Sequence, residues 1–411
     1  MRATTLLATI LGLKKTKVVS VSIDPEGIVA DVTPQASVPY CSGCFCAVHQ
    51  VHDCHKRSWR HLDLAGMKLW LRYVLRRVKC PRCGTRVELV PWADPGSWFT
   101  CDFEEHVAYL AQVTDKTTVV NTMRVAWRTL GDIAARVVKR FRPGDPLDGL
   151  TRIGVDELSY RKHHEYVTVV IDHVAERVVW ARAGKDAATL GEFFKQLGPE
   201  RCAKLEAVTL DMSKAYLKAV TEASPQAQQI IDRFHVQRLA HDALDEVRRA
   251  EVREHKGTEE GRAIKRTRFI LHKNPWNLTD LETHKLAELQ RSNKPIYRAY
   301  LLKESLARIL DGTDIDVARV KLGEWISWAT HSRLDPFKRV AGTIKEHFEK
   351  ILAYIPERLN NARLEGTNGK IRTITRRSYG FHSASNLIAL IFLCCSGIHL
   401  QPVLKFVPRL A

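Results

Sequence analysis

The stretch TRIGVDELSYRKHHEYVTVVID, Thr151–Asp172, decides the fold class. Thr151–Val155 is an apolar run that stops at Asp156, and Tyr166–Asp172 is rich in β-branched residues, which favour strands. Similar runs follow at Arg177–Arg182, Ala207–Leu210 and Gln229–Ile231, and helical patterns alternate with the later ones. Strands interleaved with helices predict an α/β domain. In Val208-Thr-Leu-Asp211 a second acid closes an apolar run, as Asp156 closes the first. Strand ends in an open α/β sheet face the crevice where ligands sit, so both acids are expected at a site.

C-terminal to this zone, residues 236–355 carry almost no strand pattern and read as a long helical insertion. A third acid then appears in Asn360–Arg372, NARLEGTNGKIR from Asn361 on. On a helix, Asn368, Gly369 and Arg372 share the face of Glu365. Gly366 and Gly369 disfavour that helix, which suggests close approach of something large. Two strand carboxylates and one helix carboxylate suit a pair of Mg²⁺ ions, hard cations that take few carboxylates and fill their shells with phosphate oxygens. Asp172 and Asp232 also end apolar runs and compete for the assignment, and each acid has a plain structural reading as a loop cap or ion-pair partner.

N-terminal to the zone, Phe141–Gly149 (FRPGDPLDG) reads as a linker. Before it, Asp102–Glu105 resembles a capping box opening a helix Phe103–Val113, with Phe103, Val107, Leu110 and Ala111 inward. A second helix, Thr117–Met123, a turn at Arg124–Ala126 and a third helix, Trp127–Arg140, complete a helix-turn-helix pattern. Trp127, Leu130 and Ile133 are expected inside, and Arg128, Thr129 and Asp132 outside, although the usual turn glycine is replaced near Arg124.

Further back lie Cys41-Ser-Gly-Cys44 and Cys80-Pro-Arg-Cys83. Two such pairs supply the four thiolates of a structural Zn²⁺; a redox dithiol is the competing reading. Between them Lys68–Lys79 alternates, with Leu69, Leu71, Tyr73 and Leu75 on one face and Lys68, Arg72 and Arg76 on the other, a strand whose basic side is either solvated or aimed at phosphates. Cys46, Cys54, His52 and His55 lie close enough in sequence to leave a second metal open. Residues 1–30 read as a short helix and the strand Lys17–Ile23.

The chain's 64 Lys and Arg against 46 Asp and Glu give +18, which favours a polyanionic partner, and 45% hydrophobic residues exclude a disordered chain. The apolar runs Leu6–Leu13 and Leu387–Cys395 fall short of the roughly 20 residues that span a bilayer, and no secretory signal is evident. A cytosolic protein is expected, whose ten cysteines point to metal more than to disulfides.

Taken together, GVDELSYRKHHEYVTVVID, TLDMSKAY, IIDRFHVQRLAHDALDEVRR and ARLEGTNGKIRTITRRSYGF resemble the zinc-ribbon transposases of the ISL-three group of bacterial insertion sequences, over nearly the whole chain. The resemblance implies a multi-domain α/β protein: an N-terminal segment 1–37, a zinc ribbon 38–90, a helix-turn-helix 98–142 and an RNase H-like core 151–235. The helical insertion is 236–355, and the end of the core, with the glutamate helix, is 356–411. It implies a catalytic triad of Asp156, Asp211 and Glu365 holding Mg²⁺ or Mn²⁺. Asp232 and His235 fall in a DRFH motif, and with Asn368 are expected to support the triad. Lys370, Arg372, Arg376 and Arg377 are expected on DNA phosphates, and Trp325 and Trp328 in the core of the insertion. The implied activity is cleavage and joining of double-stranded DNA at element ends and target, by a homodimer or larger assembly in a bacterial, nucleoid-associated setting. A non-catalytic DNA-binding regulator and a metal nuclease of the RNase H kind are the alternatives.

Overall fold

The structure is a computed structural model that describes residues 3–142, 144–161, 165–357, 361–378, 381 and 383–403, without the side chains of 161, 361–365 and 368. The described residues within Met1–Arg142 and Ile374–Ala411 form one compact unit, and those within Pro143–Thr373 a second.

The first unit is built on a five-stranded sheet, β1 (Thr16–Asp24), β2 (Gly27–Pro34), β3 (Val51–Leu64), β4 (Met67–Cys80) and β5 (Gly84–Val87), in the order β1-β2-β4-β3 with β5 on β4. The sequence shows β4 plainly: Leu69, Leu71 and Leu75 are buried as the alternation requires. It conceals β3, whose run VHDCHKRSWRHLDL is mostly polar because half of the strand faces solvent. Ala65 and Gly66, both at positive φ, join β3 to β4 in a two-residue hairpin. Gly27, at φ +129°, begins β2 where a Cβ would sit 2.2 Å from the Lys68 carbonyl oxygen, so only glycine lets β2 run this close to β4. The helix Ala3–Leu11 contributes Leu7 and Leu11 to a core with Ile28, Trp59, Leu69 and Trp92; the two indoles meet edge-on at 5.6 Å. Segments 1–37 and 38–90, divided in the sequence reading, thus share one sheet.

Three helices follow, Cys101–Val113, Lys116–Met123 and Trp127–Phe141. The first is capped by Thr100, whose side chain accepts from the Phe103 N–H, and not by the Asp102 box expected from sequence. Phe103 and Val107 are buried as expected, while Leu110 and Ala111 are only half-buried. Arg124 takes the left-handed conformation (φ 52°, ψ 50°) at the turn, where glycine was missed; its guanidinium reaches Asp63 and the Gly66 carbonyl, holding the backbone there. The helix Ala384–Cys395, grouped in sequence with the end of the core, packs instead in this unit. A Cβ on Gly131 would lie 2.3 Å from Asn386 Oδ1, and Gln112 Nε2 donates to the Leu393 and Ile398 carbonyls at 2.7 and 2.8 Å. Its nearly uniform apolarity gave no sign of which partner it would bury against.

The second unit holds another five-stranded sheet: β6 (Arg152–Arg161), β7 (Glu165–Asp172), β8 (Arg177–Ala183), β9 (Ala207–Leu210) and β10 (Gln228–Ile231), in the order β10-β9-β6-β7-β8. β6, β7 and β8 pair antiparallel, and β9 and β10 add to β6 in parallel. This is the mixed sheet of an RNase H-like core. Helices Ala187–Leu197 and Lys214–Ala223 bury Leu190, Phe193, Tyr216 and Val220 against Ile153, Val155, Val208 and Leu210.

From the helix Arg233–Glu254 to Tyr354–Glu357 the described chain is helical throughout, with its own core around Leu244, Leu302, Leu306 and Phe337. Trp325 is 2% exposed and donates to the Leu302 carbonyl at 2.9 Å, as a core residue should. Trp328, expected beside it, is 39% exposed, because it falls on the outer side of Ile315–Thr330. The helix Asn361–Arg377 follows. Among the described residues no helix is long and apolar enough to cross a membrane.

Candidate active site and metal centre

The cysteines converge first. Cys41 and Cys44 lie on a tight turn, Cys80 closes β4, and Cys83 lies in the turn to β5. Their four sulfurs lie within 4.8 Å of one another, and Cys44 Sγ is 3.5 Å from Cys80 Sγ. Bonds of about 2.3 Å to a tetrahedral Zn²⁺ give sulfur–sulfur edges of about 3.8 Å, so the cluster has the right size. The Gly43 N–H donates to Cys41 Sγ at 3.4 Å, supporting the thiolate, and Val48 and Val78 pack beneath. Among the described residues no other group of three or more such side chains converges this way, so Cys46, Cys54, His52 and His55 do not assemble a second centre.

The two arginines on the basic face of β4 are internally paired. Arg72 donates to both oxygens of Asp31 at 2.6 and 3.0 Å, and this hydrogen bonding holds the Asp31 carboxyl below the usual range. Arg76 is paired with the buried Glu88 at 2.7 Å. Of the residues expected to face outward on the third helix, Arg128 and Asp132 are exposed and Thr129 is half-buried. Leu130 and Ile133 are buried, but Trp127 is 37% exposed, with the Lys116 ammonium 4.6 Å from its ring centre. Its position at the first turn of the helix leaves one ring face uncovered.

The second site forms where β6, β9 and β10 meet. Asp156 lies inside β6, opposite Val169 of β7, and not at the strand's end as the sequence suggested. β6 runs on past its apolar half into a hairpin with β7. What ends near Asp156 is the parallel pairing with β9, whose register is Ile153↔Val208 and Gly154↔Thr209. Two residues further, the register brings Asp156 level with Asp211, the first residue after β9. Asp211 Oδ1 accepts from the Ser213 N–H at 2.9 Å, and Asp156 Oδ1 from the Glu157 N–H at 2.7 Å.

Asp232 follows β10, donates its own N–H to the Leu210 carbonyl at 3.0 Å and caps Arg233–Glu254 by accepting from the Phe234 N–H at 2.6 Å. His235 Nε2 stands 4.0 Å from Asp156 Oδ1 and 4.0 Å from Asp232 Oδ2. Asp156, Asp211, Asp232 and His235 thus lie toward one end of the sheet, without the mutual spacing of the cysteine sulfurs. Asp172, the other rival, does not join them. Its Oδ1 accepts from the Val174 and Ala175 N–H groups at 2.9 and 3.2 Å, closing the turn to β8.

Sequence reasoning passed over Glu157, whose only signal was its place beside Asp156. Burial and the nearby Asp211 charge push its carboxyl above the usual range, while a hydrogen bond to Tyr216 partly opposes this. Tyr216 Oη in turn lies 2.8 Å from Thr168 Oγ1. On the other face His173 Nε2 meets Thr209 Oγ1 at 2.7 Å, and burial lowers its pKa to about 4, so it is neutral.

Glu365 and Asn368 lie on the helix Asn361–Arg377, with their side chains outside the described residues. Lys370, Arg372, Arg376 and Arg377 are exposed on it. A Cβ on Gly366 or Gly369 would meet nothing within 4 Å, so no described protein group requires either glycine.

A family model described as transposase, the DDE domain of the ISL3 group, matches residues 153–391, more than half of the chain. The chain belongs to the ISL3 family of transposases. A second model, the zinc-finger of transposases IS204, IS1001, IS1096 and IS1165, matches residues 37–83 and takes in all four clustered cysteines. This ISL3-family chain is 40% identical over 367 residues to the transposase for insertion sequence element IS1557 of Mycobacterium tuberculosis, covering 83% of this chain and 82% of that one. It is 29% identical over 352 residues to the transposase for IS1001 of Bordetella parapertussis, covering 85% and 86%. A solved catalytic core domain of BIV integrase is also similar, at 10% identity and a TM-score of 0.17, over 38% of this chain and 82% of that one. The core assignment rests on strand order and direction and not on that likeness.

Proposed function

We propose that this transposase binds the terminal inverted repeats of its insertion sequence, cuts DNA strands there and joins the freed ends to target DNA, using Asp156, Asp211 and Glu365 as its catalytic carboxylates. The observation that carries the reading is the β6–β9 register, which sets Asp156 beside Asp211. Their carboxylate oxygens are hard donors and fit Mg²⁺ or Mn²⁺ better than any soft metal. Bound divalent ions would supply charge for an in-line displacement at phosphorus.

The chain's own groups set the geometry. The Ser213 and Glu157 amides each hold one carboxylate oxygen, of Asp211 and of Asp156, which fixes the orientation in which these carboxylates would meet divalent ions. Asp232 anchors the helix that carries His235, and His235 positions Asp156 from the side. Glu365, with Asn368 one turn on, completes the set from the late helix. Lys370, Arg372, Arg376 and Arg377 hold flanking phosphates. The zinc-bound sheet and the helix Trp127–Phe141, through Arg128 and Thr129, read the element ends in a helix-turn-helix manner. Joining two ends calls for a homodimer or larger assembly on DNA, in the bacterial cytoplasm at the nucleoid.

The test is incubation of the full chain with labelled terminal-repeat DNA and Mg²⁺. Cutting and end-joining that disappear in Asp211→Ala, with binding kept, support the reading. Binding without cutting in the parent chain would make it a regulator. Cut ends that never join would make it a nuclease.

A further inference from the structure

Within the helical insertion, Glu259–Arg266 and Arg268–His272 run as nearly one helix through Thr267, whose carbonyl accepts from the Leu271 N–H at 3.0 Å. Its inner face is fixed. Gly261 sits where a Cβ would lie 2.2 Å from the His255 carbonyl oxygen, and Ile264, Ile270 and Leu271 are buried. Its outer face carries Arg262, Lys265, Arg266 and Phe269, at the spacing of one helical stripe.

Two properties set this stripe apart. Arg262, Lys265 and Arg266 have no ion-pair partner among the described residues, although other arginines of the insertion do: Arg319 pairs with Glu349, Arg339 with Glu246 and Arg248 with Asp245. Phe269, on the stripe itself, is 76% exposed. A large aromatic ring this open, one turn from unpaired cations, points to a partner that is both anionic and flat.

We propose that this face of the insertion binds DNA carrying an unpaired base, with Arg262, Lys265 and Arg266 on phosphates and Phe269 stacking on the base. Duplex backbone alone would satisfy the cations and leave the ring without a partner, because a paired base offers no open face. A second copy of the chain is disfavoured, since a two-fold contact through this stripe would set like charges against each other. The inference deepens the reading of the chain as a strand-cutting enzyme, because a break staggered between the two strands exposes such bases.

The experiment uses the full chain carrying Asp211→Ala, so that DNA stays uncut, and measures fluorescence anisotropy on a labelled duplex of arbitrary sequence, either blunt or with a single-stranded overhang. Phe269→Ala is expected to weaken overhang binding by about tenfold and to leave the blunt duplex unchanged. Phe269→Trp keeps overhang binding. Arg262→Ala with Lys265→Ala and Arg266→Ala weakens both and lowers the slope of log affinity against log salt by about 2 to 3. Parent-like binding by Phe269→Ala, or equal loss on both DNAs, overturns the proposal. Loss of self-association in sedimentation, with DNA affinity kept, assigns the face to a second copy instead. No readout depends on cleavage, so failure of the parent chain to cut terminal DNA would refute the proposed function separately.

Discussion

The cysteine cluster and the proposed carboxylate site are assembled in opposite ways. The cysteine site uses two turns bracketing one hairpin sheet, and its four sulfurs already lie at coordination spacing. The carboxylate site draws Asp156 and Asp211 from neighbouring strands, Asp232 and His235 from the start of a helix, and its third proposed ligand from a helix more than a hundred residues later. Soft thiolates close around a metal that serves the fold, and no position is left open for a substrate. Hard carboxylates are set apart, and oxygens of the reacting phosphate are expected to fill the gap. A structural site can be finished by local chain, whereas a catalytic one has to stay incomplete until its substrate arrives.

The contrast can be broken by substitution. Asp211→Asn should lower strand cutting by about a thousandfold or more while zinc content and melting temperature stay close to the parent's. A folding defect of similar size would show that the carboxylate site is structural after all. Cys80→Ser should do the reverse: loss of bound zinc by elemental analysis and destabilisation of the first unit by roughly 4 kcal/mol. Full zinc occupancy in that variant would remove Cys80 from the ligand set.

Smaller effects sharpen the comparison. Glu157 has its folded pKa raised above the ordinary 4.5 by burial and by Asp211, so it favours folding below that value and opposes it as pH rises through the folded pKa. Glu157→Gln keeps the hydrogen bond to Tyr216 and should raise the melting temperature at pH 7, with the gain vanishing below pH 4.5. An unchanged melting temperature across that window would place the Asp211 charge out of reach of Glu157. Smallest, Thr100→Ala removes the helix cap accepting from Phe103 and should cost about 1 kcal/mol in denaturant unfolding, leaving zinc and cutting intact.

Much of this organisation was readable beforehand. The Cys pairs, the alternation of β4 and the helical insertion have local signals, because pairing, burial and periodicity there operate over few residues. The strand β3 was unreadable because a half-exposed polar strand has no apolar alternation. The Thr100 cap was missed because Asp102 and Glu105 imitate a capping box two residues further on. That the helix Ala384–Cys395 packs against Trp127–Phe141 was not legible, since an apolar helix states that it is buried but not against what.

The sequence by itself determined which residues bring chemistry: soft sulfurs in two pairs, acids beside apolar runs, and a surplus of cations. Only tertiary structure decided their company. It paired Arg72 and Arg76 with Asp31 and Glu88, turned Asp172 into a turn cap, and set Asp156 level with Asp211. The reason is that side-chain type is written residue by residue, whereas neighbours across a sheet are fixed by strand register, a property of two distant segments at once.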